Sequence, residues 1–382
     1  IMWNQKKKYG FILFELFVIF LVVFVTMLYL TERITTYLEG TGCQIDNVYF
    51  MDIATQSPDQ QPELEHARKV KNRLARMESV EAVSMTSGGV PYRGSLSSKT
   101  FHYGDHRTGA NIHHVDETYP SVLKVEVIRG RWFNSGDDHN TAKIPVVINQ
   151  MMAERLFRGE DPIGKIISEE YVVKGVLSNF KTRDYTNQRP HIFMDIQHPG
   201  NEFHGANMLI RYKEGYQPLP QEYAQHIYSV MSREQYRIVQ SSRMEAMKKS
   251  MNSNYSGDIL FVSLIVGFLL FNLVLGLIGI LGYNVNRRWS EMGIRRAVGS
   301  TKASIRRLIF LEMFALTVMA IIPALIVVIQ IPAFEVLPLT WPLFIQSMIF
   351  TLVVIFVLVF LSVLYPGIMA SKIRPAVALK EE

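Results

Sequence analysis

The sequence predicts a membrane protein: four transmembrane α-helices plus one large α+β domain outside the bilayer. That domain reads as a split ferredoxin-like lobe with a strand-rich inserted lobe. Three observations predict this. The 382 residues are 48% hydrophobic and only 19% charged, and the apolar ones are gathered in four runs. A long polar block separates the first run from the second. Within that block, alternating short apolar stretches are interleaved with stretches of helical spacing.

The four runs are Phe11–Leu30, Ile259–Leu281, Leu308–Ile331 and Leu343–Leu364. Each is about 20 residues or longer, enough to cross a hydrocarbon core of about 30 Å at roughly 1.5 Å per residue. The first is too long for a signal-peptide core, and no small-residue cleavage site follows, so it reads as an uncleaved span. Loop charges orient the chain. Lys6, Lys7 and Lys8 precede the first span. Arg287, Arg288, Arg295, Arg296, Lys302, Arg306 and Arg307 lie between the second and third, and Lys372, Arg374 and Lys380 follow the fourth. The loop "PAFEVLPLTW" between spans three and four has no Lys or Arg. Both termini and the basic segment are therefore expected in the cytoplasm, and the polar block outside.

In that block, Ile45–Ala54 reads as a strand. Pro62–Met77 reads as a helix with Leu64, Ala67, Val70, Leu74 and Met77 at helical spacing, and Val80–Ser87 as a second strand. A helix–strand pair returns at Glu222–Ser232 and Tyr236–Ser241. Two such half-units flanking an insert predict the split ferredoxin-like lobe. The insert, roughly Val115 to Pro199, is strand-rich: "IPVVINQ" leads into the helix "MMAERLF", and "YVVKGVL" and "HIFMDI" are further strands separated by polar turns. Ser242–Asn254 reads as a helix with Met244, Met247 and Met251 on one side, running on into the second span as a stalk.

Composition excludes several classes. The net charge of +6 is concentrated at the spans, and the outer block is nearly neutral, so nothing points to nucleic acid. "GSTKAS" (Gly299–Ser304) lacks the glycine before the lysine that a phosphate-cradling loop needs. All ten histidines lie in the outer block. His102, His106, His113 and His114 cluster, but no ligand pair sits on a helix, and His113 and His114 face opposite sides of a strand, so the cluster reads as a polar hairpin. No nucleophile elbow or zinc-protease motif occurs. The single cysteine, Cys43, cannot form an intrachain disulfide and reads as a small buried residue. The chain is not expected to be an enzyme and is expected to bind no cofactor or metal of its own.

Polar residues inside the spans carry more. Asn272 lies near the middle of the second span, and Gly276, Gly279 and Gly282 follow at i, i+3 spacing. Small residues let helices approach closely and an Asn can hydrogen-bond across the contact, inside the chain or in a dimer. Glu15 and Glu312 each lie about one turn inside their spans. Buried charge is costly there, which makes both candidate functional groups. Snorkelling, or pairing with a base on a neighbouring helix or the basic segment, is the expected resolution.

The segment Arg287–Arg307 is more than a charged loop. Ser290 can cap a helix, Glu291 suits its positive end, and Glu291 with Arg295 is an i, i+4 pair. Ile294, Ala297 and Val298 form a small apolar face, and Gly299 can end the helix in a left-handed turn. Ser300 or Thr301 can cap the next helix. A short amphipathic helix along the inner membrane surface results.

Arg288, Glu291, Met292, Gly293, Ile294, Arg295, Arg296, Ala297 and Gly299, followed by Glu312, resemble the cytoplasmic signature of MacB/FtsX-type ABC-transporter permeases, the type VII mechanotransmission group. The outer block agrees: "LKVEVIRGRWF" (Leu123–Phe133), "VVINQMMAERLF" (Val146–Phe157), "DPIGK" (Asp161–Lys165), "YVVKGVLSNF" (Tyr171–Phe180) and "RPHIFM" (Arg189–Met194) resemble the periplasmic pattern of the MacB-like branch, in order. The tail "YPGIMASKIRPAVALKEE" resembles the family's ending. The resemblance implies four spans in a bacterial inner membrane and a periplasmic domain, with a porter-like lobe, between the first two. It implies a dimer of permease chains, identical or different, working with two copies of an ABC ATPase. ATP and Mg²⁺ would be bound by that ATPase. The basic helix would be a coupling helix docked on it, and the first two spans would carry its motion outward. A periplasmic adaptor, an outer-membrane duct or a lipoprotein substrate are further partners the family admits. Efflux, export or lipoprotein release is the expected role. An FtsX-like regulator that activates an envelope hydrolase without transport is the alternative, and a membrane sensor without an ATPase is a third reading that the coupling pattern disfavours. MacB itself carries its ATPase on the same chain before the first span; here a separate subunit, or a segment before Ile1, is expected to supply it.

The expected organisation is then residues 1–39 for the N-terminus, first span and stalk, and 40–241 for the periplasmic domain. In the latter, the porter-like lobe takes about 40–114 plus 200–241 and the insert 115–199. Residues 242–282 form the stalk helix and second span, 283–304 the coupling helix, 305–331 the third span, 332–342 the outer loop, 343–365 the fourth span and 366–382 the cytoplasmic tail.

Overall fold

The structure is a computed structural model that describes residues 6–57, 63–94, 97–134, 136–137, 141–201, 206–216, 220–287, 289–334 and 339–371. Arg288 and the basic tail residues Lys372, Arg374 and Lys380 lie outside the described residues. Helix α1 is Lys6–Leu38. Then come β1 (Val48–Thr55), α2 (Leu64–Leu74), β2 (Val80–Ser87), β3 (Ser97–Tyr103), β4 (His106–Val115), α3 (Tyr119–Leu123), β5 (Val127–Gly130) and β6 (Ile144–Asn149). Helix α4 (Gln150–Phe157), β7 (Ile166–Ile167), β8 (Tyr171–Leu177), β9 (His191–Asp195), β10 (Ala206–Tyr212), α5 (Pro220–Tyr228) and β11 (Tyr236–Arg243) follow. The chain ends with α6 (Met244–Arg287), α7 (Trp289–Ala297), α8 (Lys302–Val328), α9 (Gln330–Ala333) and α10 (Trp341–Ser371). Two compact units result, residues 36–255 and the remainder, with the division falling inside α1 and α6.

In the first unit, eleven strands among the described residues make one mixed sheet, along the path β11-β1-β10-β2-β4-β9-β6-β8-β5, with β3 beside β4 and β7 beside β8. The four strands β11, β1, β10 and β2 pair antiparallel throughout. The two halves, β1-α2-β2 and β10-α5-β11, interleave their strands, which is the ferredoxin-like arrangement the flanking half-units predict. The two lobes share this one sheet: β4 contacts β2 through two residue pairs and β9 through five, the latter in parallel. β1 is buried on both faces. Val48 and Phe50 enter one core and Tyr49, Met51 and Ile53 the other, which is why the strand is apolar almost throughout instead of alternating. Helix α2 turns Ala67, Val70 and Leu74 to the second of these cores, and α4 covers a third, capped by the Asn149 side chain at 3.1 Å from the Met152 N–H.

A buried carboxylate ties α2 to the sheet. Asp116 accepts from Ser84 Oγ (2.7 Å), the Met85 N–H (2.8 Å) and Lys71 Nζ (2.7 Å). Burial works against the Lys71 ammonium, but Asp116 and Glu117 outweigh it and hold its pKa above the usual lysine value.

His113 is not on a polar hairpin surface as its sequence neighbourhood suggested. The hairpin of β3 and β4 ends before it, and β4 continues into the sheet beside β9. There His113 is fully buried, its Nε2 2.7 Å from Nδ1 of His191, between the rings of Phe180 and Phe193. Among the described residues no group of three or more His, Cys, Asp and Glu side chains is placed to hold a metal ion. Cys43 is half-buried, its Sγ 3.4 Å from Thr41 Oγ1, and burial pushes its thiol up to about 11.

Among the described residues, the second unit holds four helices long and apolar enough to cross a membrane. Their shared core draws Ile12, Leu16, Phe20 and Phe24 from α1, Ile309, Met313 and Leu316 from α8, and Phe344, Ile355 and Val359 from α10. Phe24 and Phe344 meet edge to face at 5.5 Å. Helix α6 contributes Leu277 and buries far less of its span than the others.

Burial lowers both His113 and His191, the latter to about 4, from an ordinary value of 6.5. The unfolded chain therefore binds more protons than the folded one between about pH 6.5 and 4. Stability is full above that window and falls as pH drops through it, by on the order of 3 kcal/mol for His191, with His113 acting in the same direction. Urea unfolding of the full chain in detergent at pH 7 and pH 5 measures this, and His191→Gln is expected to remove about one proton's worth of the slope.

Candidate functional site

The short helix α7 comes from Trp289–Ala297, and Ser290 lies inside its first turn instead of capping it. Glu291 and Arg295 form the i, i+4 ion pair, Arg295 Nη2 to Glu291 Oε1 at 3.0 Å. Gly299 ends the segment at φ +104°, and the Ser300 N–H reaches back to the Arg295 carbonyl at 2.9 Å. Thr301, not Ser300, caps α8: its side chain accepts from the Ser304 N–H at 3.2 Å.

The side that packs differs from the side that periodicity suggested. Met292, 2% exposed, enters the core of the helical unit, with Gly293 buried beside it. The reason is local: Met292 is long enough to reach the packed helices. Ile294 at 49%, Ala297 and Val298 at 84% exposure are left outside. Arg295 is exposed and Arg296 half-buried. The structure thus brings Glu291, Ile294, Arg295, Ala297 and Val298 onto uncovered surface and uses Met292 as the anchor.

The span residues divide similarly. Gly276 lies against Glu15 of α1: a methyl added there would be 3.0 Å from Glu15 Oε1. The Glu15 Oε2 atom is buried with no hydrogen-bond partner among the described residues. Among the described residues, its neighbour is Gly276 of the second span. Asn272 is exposed and spends its amide on the Phe268 carbonyl at 2.8 Å in its own helix, and Gly279 faces open space. Glu312 is half-buried and is not a free carboxylate.

One set of residues escaped the sequence reading. The loop between β8 and β9, "KTRDYTNQRP" (Lys181–Pro190), looked like a polar turn. In the structure it clasps both stalk segments. Lys181 is buried, donates its Nζ to the Thr36 carbonyl and lies 3.6 Å from Glu39. Asn187 accepts from Thr36 Oγ1 at 2.9 Å. Buried Asp184 accepts from Tyr92 Oη (2.9 Å) and Asn252 Nδ2 (2.6 Å), with Lys248 Nζ at 3.4 Å. Tyr185 packs its ring on Tyr37 and on Tyr255, at 5.1 and 5.4 Å. Burial lowers the Lys181 ammonium below the ordinary lysine value, against the pull of Glu39, and burial with the Asp184 charge raises Tyr92. The residues contacted are dispersed over the sequence, so no local spacing signals them. Gly42, φ +72°, was the one available hint: any Cβ there would meet the Asn179 carbonyl at 1.9 Å.

Residues 17–219 match the MacB-like periplasmic core domain, and residues 262–375 match the FtsX-like permease C-terminal domain. The chain belongs to the MacB/FtsX family of ABC-transporter permeases. Its periplasmic core domain is the sheet unit above, and its FtsX-like part holds α7 and the last three spans. It is 24% identical over 242 residues to YknZ of Bacillus subtilis (strain 168), described as an uncharacterized ABC transporter permease; the match covers 56% of this chain and 55% of that one. The chain thus spans about half the length of that relative. Among solved structures, the periplasmic region of MacB from Actinobacillus actinomycetemcomitans aligns at 16% identity and TM-score 0.40, over 55% of this chain and 94% of that one. The extracellular domain of the noncanonic ABC-type transporter YknZ from Gram-positive bacteria aligns at 18% and 0.35, over 50% of this chain and all of the other.

Two outcomes check this geometry. Gly276→Val crowds Glu15 and is expected to lower stability by about 1–3 kcal/mol in denaturation of the purified chain, whereas Gly279→Val, facing open space, leaves the single chain unchanged. Asp184→Ala strips the partner from Lys248 and leaves Tyr92 and Asn252 unsatisfied. A loss of about 3–5 kcal/mol is expected, seen as faster hydrogen exchange at residues 248–252.

Proposed function

We propose that this chain is the membrane subunit of an ABC transporter that passes ATP-driven motion from a cytoplasmic ATPase to the periplasmic domain, for efflux, export or lipoprotein release. The observation that carries the reading is α7: a helix pinned by Met292 to the helical unit while Ile294, Ala297 and Val298 stay uncovered beside an ion pair. An apolar patch rimmed by charge is the surface expected of a docking helix. Two ATPase copies would bind ATP and Mg²⁺ and each would seat one such helix. The loop clasp gives the reading its second half, since α1 and α6 are the helices inside which the two units divide, and Lys181 and Asp184 grip them in the periplasmic domain. A second permease chain, identical or different, would cover Asn272, Gly279 and the sparsely buried face of α6. The basic segments support an inner-membrane chain with both termini in the cytoplasm.

Ile294→Asp places a charge in the proposed docking face. It is expected to weaken binding of the ATPase subunit by roughly tenfold or more, with membrane insertion intact. Reversing Glu291 or Arg295 is expected to uncouple ATP hydrolysis from the periplasmic domain. Affinity co-purification of the tagged chain from native membranes, followed by ATPase assays on the complex, measures both. Full coupled activity in these variants, or recovery of an envelope hydrolase with no ATPase, would sink the proposal.

A further inference from the structure

The clasping loop also walls a small cavity of about 190 Å³ in the periplasmic domain. Lys181, Arg183 and Arg189 supply three cations to its lining, with Thr182, Asn111 and His191 among the other lining residues and no carboxylate among those described. Lys181 is committed to Thr36 and Glu39. Arg183 is not neutralised: it gives Nη2 to the Gly94 carbonyl at 3.0 Å, its buried Nε has no partner, and no acid pairs with it among the described residues. Arg189 has an exposed side chain and no acid partner among the described residues, while its backbone is held by Asn149 Nδ2 at 2.8 Å. Its charge reaches His191, where it adds to burial in lowering that group.

The histidine pair defines which face of His191 donates. His113 Nδ1 is buried without a partner. An orphaned N–H is rarer and costlier in an interior than a bare acceptor, so the His113 proton belongs on Nε2, donating to His191 Nδ1. Neutral His191 then carries its proton on Nε2, and its other nitrogen is a donor. The cavity is therefore lined by two uncompensated guanidinium groups, hydroxyl and amide groups and an imidazole N–H, with nothing that repels an anion.

We propose that this cavity binds a phosphate group, carried by a free anion or by a phospholipid headgroup. Charge-assisted bonds from Arg183 and Arg189 hold it, with His191 as a neutral donor. Because Lys181 and Asp184 belong to the same loop, occupancy stiffens the clasp on the stalk segments.

The test uses the full chain in nanodiscs of digalactosyldiacylglycerol, a neutral lipid without phosphate. Inorganic phosphate, titrated at constant ionic strength against chloride, is expected to raise the unfolding midpoint saturably. Arg189→Gln, an exposed change that leaves the fold intact, and Arg183→Gln are each expected to weaken the effect by roughly tenfold or more. In discs containing phosphatidylglycerol, a midpoint already raised in the parent chain but not in the variants identifies the headgroup as the source. An unchanged midpoint there, with a phosphate response in neutral discs, identifies the free anion. No response to either, or a response that both variants retain in full, overturns the site.

Discussion

A buried pair of opposite charges three residues apart, Lys181 and Asp184, holds the ends of both helices that leave the periplasmic domain. Their burial is offset by the partners each one finds. Lys181 finds a helix-end carbonyl and a glutamate, and Asp184 finds a phenol, an amide and a lysine. Buried ions stripped of such partners are strongly destabilising, so the loop and the stalk segments are each other's condition for folding in this form. The absence of side-chain room at Gly42, against the Asn179 carbonyl, fixes the same junction from the backbone side.

The helical unit follows a different rule. No hydrophobic force distinguishes one apolar helix from another in lipid, so small residues and shape decide the contacts. Gly276 admits the Glu15 carboxylate, and α1, α8 and α10 pack through aromatic and branched side chains. Helix α6 stays largely uncovered, as does the apolar side of α7.

Much of this was legible in the sequence. The four spans follow from runs of apolar residues, and the ferredoxin-like lobe from a strand–helix–strand unit and a returning helix–strand pair at the edges of the polar block, although its strand β10 was not read. The Glu291–Arg295 pair and the Gly299 terminus follow from spacing along one helix, because neighbours three and four apart must meet. The orientation of α7 did not follow. Periodicity gave an apolar side in Ile294, Ala297 and Val298, but which side is buried depends on what lies next to the helix, and there Met292 had the longer reach. The hairpin reading of His113 failed for the same reason: a strand's partner, β9, comes from 78 residues further along the chain.

The sequence by itself determined the elements, the membrane class, the family and the short basic helix between the second and third spans, because each depends on residues adjacent in the chain or on local periodicity. Only the tertiary structure decided the clasp of residues 181–190, the seat of Glu15 on Gly276 and the sealed histidine pair behind a cationic cavity. Those depend on contacts between segments separated by dozens to hundreds of residues, where the free energy lies in burial and charge pairing that no local pattern encodes.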